Sequence, residues 1–231
     1  MASEASANTT SVVFILDCDN TLLDNDAVKA DYDAGLRQIL GEPLTERFWT
    51  VYEAVRAQAG TVDFPQTLER FGPECPDTAT FARVRGLLLD YPFAARLYPD
   101  TLDTLRHLRA IGMPVIVSDG DHTYQPMKIA RSGLLAAVEG RMLIYVHKED
   151  HLTTIFRQWP AAFYVMVDDK ARILSAAKAR FPHRFATVHV RQGHYGTEPI
   201  TTTPPPDLSI ATIGDLRRYS VQDFARYIVT S

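Results

Sequence analysis

Short runs of consecutive apolar residues recur along the chain, and several of them end in acidic or small polar residues. The clearest runs are VVFIL at 12–16, MPVIV at 113–117, FYVMV at 163–167 and FATVHV at 185–190. A continuous apolar run of this length is typical of a strand that is buried on both faces of a parallel sheet. Two weaker runs, at 142–146 and 208–213, predict further strands.

Segments with helical spacing separate these runs. In residues 100–110, Leu102, Leu105 and Leu108 recur at intervals of three, which places them on one face of a helix. Similar segments lie at 123–132, 150–158 and 170–180. Strands that alternate with helices indicate a parallel sheet with right-handed crossovers. The sequence therefore predicts an α/β fold.

Residues 24–97 interrupt this alternation. They contain no convincing strand, and their helical patterns lie at 27–40, 44–59, 65–71 and 78–90. We expect a helical insertion of about 70 residues, which leaves a core of about 155 residues, a usual domain size. The expected organisation is a disordered tail at 1–10, a core at 11–23 and 98–231, and an all-helical inserted domain at 24–97.

Composition limits the classes of function. The 231 residues are 46% hydrophobic and 23% charged, as in an ordinary globular protein. The chain has 24 basic and 28 acidic residues, a net charge of -4. This charge gives no reason to expect nucleic acid or an anionic membrane as a partner. The two cysteines cannot form a disulfide framework, and the apolar runs are too short to span a membrane. We expect a cytoplasmic protein, and the sequence leaves its oligomeric state open.

Carboxylates and small polar residues follow three of the predicted strands. They are Asp17 and Asp19 after the first, Ser118, Asp119 and Gly120 after the second, and Asp168 and Asp169 after the third. Ligands bind beyond the carboxyl ends of the strands in such sheets. Crowded carboxylates repel one another until a proton or a cation joins them. Oxygen ligands without histidine or cysteine favour Mg²⁺.

Four carboxylates and a hard cation suit phosphoryl chemistry, because the metal neutralises phosphate charge and a carboxylate can attack phosphorus. Ser118 offers a hydroxyl group, and Asp119 and Gly120 offer backbone N–H groups to phosphate oxygens. A lysine is also expected. Lys148 follows the weak strand at 142–146, whereas Lys128, within the helix at 123–132, is expected to face solvent.

These motifs resemble those of the haloacid dehalogenase-like (HAD) superfamily. In the order of that superfamily, they are DCDNT at 17–21, VIVSDGD at 115–121, Lys148 in YVHKED, and YVMVDDK at 164–170. The resemblance implies a Rossmann-like core, and the insertion between the first two motifs matches the superfamily's helical cap. Cys18 departs from the usual bulky hydrophobic residue, and the third motif lacks the common Lys-Pro pair.

The resemblance also implies a role for each motif residue. Asp17 would be the nucleophile that forms an aspartyl-phosphate, and Asp19 would protonate the leaving group and then activate water. Ser118 and Lys148 would bind the phosphoryl group, and Thr21 would support the nucleophile loop through a hydrogen bond. The implied Mg²⁺ ligands are Asp17, Asp19 through its backbone carbonyl, and Asp169, with Asp168 as a direct or an outer-shell ligand. The implied function is a Mg²⁺-dependent phosphatase acting on a small phosphorylated metabolite.

Several alternatives stay open. A phosphomutase or phosphotransferase could use the same scaffold, and a phosphoacceptor signalling domain also combines an acidic pair with Asp and Mg²⁺. A dehalogenase is disfavoured because that branch attacks carbon without a metal and lacks the carboxylate that Asp19 supplies. A non-catalytic binding role finds no support, since every motif position is chemically intact. In the insertion, Arg47 and Arg56 could reach a second anionic group of a substrate, although solvated helix faces are the default.

Overall fold

The computed structural model of the protein describes residues 12–228, so the predicted tail at 1–10 lies outside the described residues. The strands are β1 (Val12–Leu16), β2 (Met113–Asp119), β3 (Met142–Tyr145), β4 (Phe163–Asp168), β5 (Phe185–Val190) and β6 (Leu208–Ile210). They form one six-stranded sheet in the order β3-β2-β1-β4-β5-β6, and every pairing is parallel. The predicted α/β fold with a Rossmann-like parallel sheet is confirmed.

Helices cover the sheet and form the insertion. The α-helices are α1 (Asn25–Leu40), α2 (Glu42–Ala59), α3 (Phe64–Phe71), α4 (Thr78–Leu89), α5 (Thr101–Ile111), α6 (Tyr124–Arg131), α7 (Leu134–Ala137), α8 (Leu152–Gln158), α9 (Ala171–Arg180), α10 (Gly193–Gly196) and α11 (Val221–Ala225). Short 3-10 helices lie at Gly72–Glu74, Phe93–Arg96, Lys148–Asp150 and Ile213–Arg218. In the described residues, no helix has the length and apolar character that a membrane crossing requires.

The central strand β1 fixes the edge at which the acidic residues meet. All five of its residues are buried, and it lies between β2 and β4. Leu16, its last residue, pairs with Ile116 of β2 and Val167 of β4. Because the three strands are parallel and in this register, Asp17 follows β1 beside the end of β4. Its backbone N–H donates to the Val167 carbonyl at 3.0 Å.

Side chains of β1 alternate between two apolar clusters, one on each face of the sheet. Phe14 belongs to the cluster that also includes Leu105 and Leu108 of α5, whereas Ile15 belongs to the cluster with Ile155 of α8. Leu102 differs from the expectation, since it is 43% exposed. The buried face of α5 instead continues through Thr101 and Thr104.

Residues 25–96, between β1 and α5, contain α1 to α4 and no strand. Its entry and exit run side by side. The Asp24 N–H donates to the Arg96 carbonyl at 2.8 Å, and the Tyr98 N–H donates to the Leu22 carbonyl at 3.0 Å. Both connections therefore leave the sheet domain at one place. We call residues 24–97 the insertion.

The last predicted strand is shorter than expected. The apolar run at 208–213 forms β6 only as far as Ile210, and Ile213 begins a 3-10 helix. The reason is a capping box, in which Thr212 and Asp215 exchange side-chain and backbone hydrogen bonds at the start of that helix. Local capping therefore ends the strand before its apolar run ends.

Gly112, between α5 and β2, is expected to tolerate no side chain. A Cβ atom there would lie 2.5 Å from Val12 Cγ1 and 2.8 Å from the Val12 carbonyl oxygen. We expect Gly112→Ala to lower the free energy of unfolding by about 1–3 kcal/mol. Gly86→Ala is the matched control, because a Cβ in this turn of α4 meets only Asp90 Oδ2 at 3.8 Å. Chemical denaturation should show that the control raises the free energy of unfolding by about 0.5–1 kcal/mol. Equal effects of the two substitutions would contradict the packing argument.

Candidate active site

A buried ion-pair cluster lies where β1 and β4 end. The Lys148 ammonium donates to Asp17 Oδ1 at 2.5 Å and lies 2.6 Å from Asp168 Oδ2. The side chains of Lys148 and Asp17 are only 1% and 4% exposed. Lys148 begins the 3-10 helix that follows β3, and its backbone N–H donates to Asp119 Oδ1 at 2.8 Å. The ends of β1 and β4 thus meet at the ammonium group of Lys148, and the end of β2 holds its backbone.

Burial and neighbouring charges shift the pKa values in this cluster. Burial disfavours the charged form of Lys148, but the charges of Asp168 and Asp17 outweigh it and raise the lysine pKa. Burial raises the pKa of Asp17 to about 6, although Lys148 opposes the shift. Burial also acts on Asp168, yet Lys148 and Lys170 lower the pKa of that carboxyl below its usual value. The cluster therefore contains carboxyl groups that differ strongly in acidity.

Asp169 has no compensating cation in hydrogen-bond contact. Both of its carboxylate oxygens are buried without a hydrogen-bond partner among the described residues, as is Asp17 Oδ2. Burial, with the charges of Asp168 and Asp17, raises the pKa of Asp169 to about 9. Single oxygens of Asp17, Asp168 and Asp169 all lie within 4.8 Å of one another. These partnerless oxygens fit a divalent cation, which would take the place of the proton that Asp169 otherwise retains.

Asp19 lies beside this group but has its own cation. Lys128 Nζ is 2.6 Å from Asp19 Oδ1 and 2.7 Å from Oδ2, and it also donates to Asn25 Oδ1 at 3.2 Å. The expectation that Lys128 faces solvent is wrong, since its side chain is 2% exposed. The reason is that α6 follows β2 directly, with Lys128 on its buried face. Asp19 therefore has its own cationic partner, distinct from the Lys148 that serves Asp17 and Asp168.

Gln125 connects Asp19 to Ser118. Its side-chain amide donates to Ser118 Oγ at 3.0 Å and to Asp19 Oδ2 at 3.3 Å. Ser118, at the end of β2, is 1% exposed, and its hydroxyl is therefore held within the site. The predicted residues Ser118 and Asp19 are thus brought together by a residue that the sequence motifs do not include.

The structure corrects the expectation for Gly120. Its N–H donates to the Tyr145 carbonyl at 2.8 Å, so it is not free for a phosphate oxygen. Its neighbour Asp119 instead acts through the carboxylate, which accepts the Lys148 N–H. Gly120 is needed for close packing, because a Cβ atom there would lie 2.8 Å from Cβ of Gln125. These two residues therefore position Lys148 and Gln125.

Thr21 contributes to the loop after β1 through its backbone, since its N–H donates to the Cys18 carbonyl at 3.4 Å. Its buried hydroxyl has no hydrogen-bond partner among the described residues. The loop after β1 is held by backbone bonds instead, in which the N–H groups of Leu22 and Leu23 donate to the Cys18 carbonyl at 2.9 and 3.0 Å. Cys18 packs in the apolar cluster on one face of the sheet.

A cleft between the insertion and the sheet domain opens onto the site. Its volume is about 420 Å³, and it is lined by Asp19, Asp119 and Asp169 from the sheet domain. Lys29 of α1 and Arg56 of α2 line it from the insertion. The carboxylates are therefore accessible to a small molecule, and the insertion forms one wall of the entrance.

Comparison with known proteins identifies the family. The family model of haloacid dehalogenase-like hydrolases matches residues 12–179. The chain belongs to the haloacid dehalogenase-like hydrolases. A protein of Burkholderia xenovorans LB400 with a known crystal structure, provisionally described as a haloacid dehalogenase-like hydrolase, has 47% sequence identity to this chain. The match covers 92% of this chain and 100% of that one, with a TM-score of 0.82.

More distant HAD structures share the fold. The HAD-hydrolase YfnB of Bacillus subtilis, also provisionally described and bound to magnesium, is 15% identical over 90% of this chain and 98% of its own, with a TM-score of 0.59. The L-2-haloacid dehalogenase of Xanthobacter autotrophicus is 21% identical over 89% and 96%, with a TM-score of 0.54. No curated protein matches the chain.

The motifs of this HAD-like hydrolase did not indicate Gln125, Lys128 or Asn25. One signal in the sequence was available, because Gln125 and Lys128 are three residues apart in a helix that starts directly after the second motif. Such spacing places two polar side chains on one helix face. Since the same helix starts at the ligand-binding edge of the sheet, that face points towards the site.

The raised pKa of Asp169 predicts how the metal-free HAD-like hydrolase responds to pH. A carboxyl whose pKa rises from 3.8 to about 9 on folding contributes stability at low pH, which is lost as the pH rises through about 9. Asp169→Asn cannot ionise, so we expect its Tm in EDTA to exceed that of the native protein. A gain of about 1 kcal/mol in the free energy of unfolding would raise Tm by roughly 2–4 °C.

The gain should be larger at about pH 8.5 than at about pH 5. Asp103→Asn, on the exposed surface of α5, is the control and should show no such gain. A Tm of Asp169→Asn that falls below the native value at the higher pH would contradict the assignment of a repelled, cation-deficient carboxylate.

Proposed function

We propose that the protein is a Mg²⁺-dependent phosphatase that hydrolyses a small phosphomonoester through an aspartyl-phosphate. The observation that carries this proposal is the group formed by Asp17, Asp168 and Asp169, whose buried oxygens lie within 4.8 Å of one another beside Lys148. A carboxylate nucleophile needs phosphate charge to be neutralised before it can approach phosphorus. An oxygen-rich cation site and a buried ammonium group together supply that neutralisation.

Mg²⁺ fits the donor set, because it prefers carboxylate oxygens over nitrogen and sulfur ligands. Asp17, Asp168 and Asp169 would hold it, together with the backbone carbonyl of Asp19. When bound, Mg²⁺ would neutralise charge on the phosphoryl oxygens. The partnerless oxygens of Asp17 and Asp169 support this assignment, since a buried carboxylate oxygen without a partner is energetically costly.

In the proposed first step, a carboxylate oxygen of Asp17 attacks phosphorus and the ester P–O bond breaks. Asp19 gives its proton to the leaving oxygen. In the second step, Asp19 takes a proton from water, the water oxygen attacks phosphorus, and the bond between phosphorus and the Asp17 oxygen breaks. Phosphate is released, and both carboxyl groups return to their initial states.

Lys148 and Ser118 are placed to bind the phosphoryl group. Lys148 already contacts Asp17 Oδ1, so its ammonium lies where negative charge develops during transfer. Ser118 Oγ accepts a hydrogen bond from Gln125. Its own proton makes only a long contact of 3.5 Å with the Asp119 carbonyl, so the hydroxyl can donate to a phosphoryl oxygen instead. The insertion would act as a cap that excludes water during the first step.

The four carboxylates favour phosphoryl transfer over dehalogenation. A dehalogenase forms an ester at carbon and needs no cation, and its superfamily branch lacks the carboxylate that Asp19 supplies. In this chain Asp19 is retained and held by Lys128, while Asp169 has partnerless oxygens that a metal-free reaction leaves unused. The dehalogenase neighbours are about 20% identical and indicate the fold alone.

Asp17→Asn is expected to reduce the turnover of p-nitrophenyl phosphate by about 10⁴-fold or more, because the amide cannot act as the nucleophile. EDTA should abolish native turnover and added Mg²⁺ should restore it. Asp103→Asn serves as the isosteric control on α5 and should retain native activity. Release of halide from a 2-haloacid without a metal, with no phosphate release, would favour the dehalogenase reaction instead.

Lys128→Met is expected to lower kcat by roughly 10- to 100-fold with a smaller effect on KM, because Asp19 loses the ammonium group that holds both its oxygens. Lys128→Arg should recover part of kcat, since a cation is retained. Lys178→Met is the control. This buried lysine donates to Asp207 and to the Phe185 carbonyl at the start of β5, the opposite end of that strand from the site. It should lower Tm and leave kcat of the folded enzyme intact. If Lys128→Met changes Tm alone, Lys128 has no role in positioning Asp19.

A further inference from the structure

Two cationic side chains of the insertion line the cleft opposite the acidic edge of the sheet. Lys29 lies in the first half of α1 and Arg56 near the end of α2. Both line the same cleft as Asp19, together with Thr61 and Val62 from the loop between α2 and α3. A substrate that reaches Asp17 from this cleft would therefore extend its leaving group towards these two cations.

Lys29 and Arg56 are poorly neutralised by the protein. Within the described residues, the contact of Lys29 is a cation–π interaction, with Nζ 5.8 Å from the centre of the Tyr52 ring. Arg56 lies 3.4 Å from Glu53 of its own helix, and these side chains are 48% and 61% exposed. Such an exposed pair contributes little.

Other arginines of the insertion differ from Arg56. Arg47 makes a bidentate salt bridge with Glu74, with hydrogen bonds of 2.7 and 2.9 Å, and Arg96 donates to Asp31 at 2.9 Å. These arginines have carboxylate partners on separate segments of the insertion, whereas Lys29 and Arg56 face the cleft. The difference indicates that the cleft-facing cations are available to a ligand.

The two cations also act on each other. Burial lowers the pKa of Lys29, and the charge of Arg56 lowers it further, which outweighs the opposing charges of nearby acidic residues such as Asp19. Like charges that approach each other at a half-buried site are unfavourable until an anion joins them. A bound anion would relieve the repulsion of both groups at once.

The cationic residues on the sheet side of the cleft have partners. Arg172 donates to Glu149 at 2.9 Å. Burial disfavours the charged form of Lys170, but the charges of Asp17, Asp168 and Asp169 outweigh it and raise the pKa of this lysine. The charges of Asp19, Glu53 and Asp26 act on Lys29 from a distance. Among the described residues, however, no salt bridge joins Lys29 or Arg56 to a carboxylate of another segment.

We propose that the substrate carries a second anionic group, a carboxylate or a phosphate, on its leaving group, and that Lys29 and Arg56 bind it. This inference rests on the proposed phosphatase function and specifies its substrate class. The reacting phosphoryl group would lie at Asp17 and Lys148, and the second anion at the insertion.

The test compares three phosphomonoesters whose leaving groups have three carbons and differ in the group at the far end. Propyl phosphate carries no second charge, 2-carboxyethyl phosphate carries a carboxylate, and propane-1,3-diol bisphosphate carries a second phosphate. The native protein should prefer at least one anionic substrate by about tenfold in kcat/KM, the lower range for hydrogen bonds to charged groups. The preferred member identifies which anion the cleft selects. The preference should also weaken as salt is added.

Lys29→Gln and Arg56→Gln should each reduce this preference towards unity. Arg47→Gln is the matched control, because it removes an arginine from the same helix as Arg56 that pairs with Glu74 outside the cleft. It should leave the preference unchanged. Circular dichroism would verify that the variants are folded.

Equal kcat/KM values for the three substrates in the native protein would overturn the inference while leaving the phosphatase proposal intact. If no substrate is turned over, the phosphatase proposal fails, and calorimetry with 2-carboxyethyl phosphate and propyl phosphate then decides the inference. Tighter binding of the carboxylate, lost in Lys29→Gln, would support the anion site. Equal binding, or no binding of either compound, would overturn it.

Discussion

The crowding of carboxyl groups at the end of β1 and β4 is the constraint on which the rest of the site depends. Asp17, Asp168 and Asp169 lie within 4.8 Å of one another, and all are almost completely buried. A single ammonium group, Lys148, contacts two of them. Because Lys148 and the more distant Lys170 are two cations against three buried carboxylates, the folded chain either retains a proton at Asp169 or takes up a metal ion. The local repulsion is thus the physical basis of the proposed cation requirement.

The sheet maintains this arrangement against repulsion. The strand β1 is buried on both faces and hydrogen-bonded on both edges, so the position of Asp17 is fixed by its pairing with β2 and β4. Asp119 then fixes the backbone of Lys148. The apolar clusters on the two faces of the sheet supply the stability that the acidic edge lowers. Such a division between a stabilising scaffold and a costly site is common in enzymes.

Much of the fold could be predicted from the sequence because the apolar runs are short, uninterrupted and followed by polar groups. The motif residues Asp17, Lys148 and Asp168 are brought together because parallel strands end at one edge. Side-chain orientation beyond the strand ends could not be predicted. Lys128 was expected in solvent and is buried against Asp19, since the rotation of α6 about its axis depends on packing and not on local spacing. The N–H of Gly120 is likewise taken by a neighbouring strand end.

The central claim is that Asp17 carries the phosphoryl group during turnover. The most direct measurement is to add sodium borohydride to the enzyme while it hydrolyses a phosphomonoester with Mg²⁺, and then to examine residue 17 by mass spectrometry. An aspartyl-phosphate would be reduced to homoserine at that position, and this is the result the account predicts. Phosphate release with an unmodified Asp17, or with the modification at another carboxylate, would contradict it.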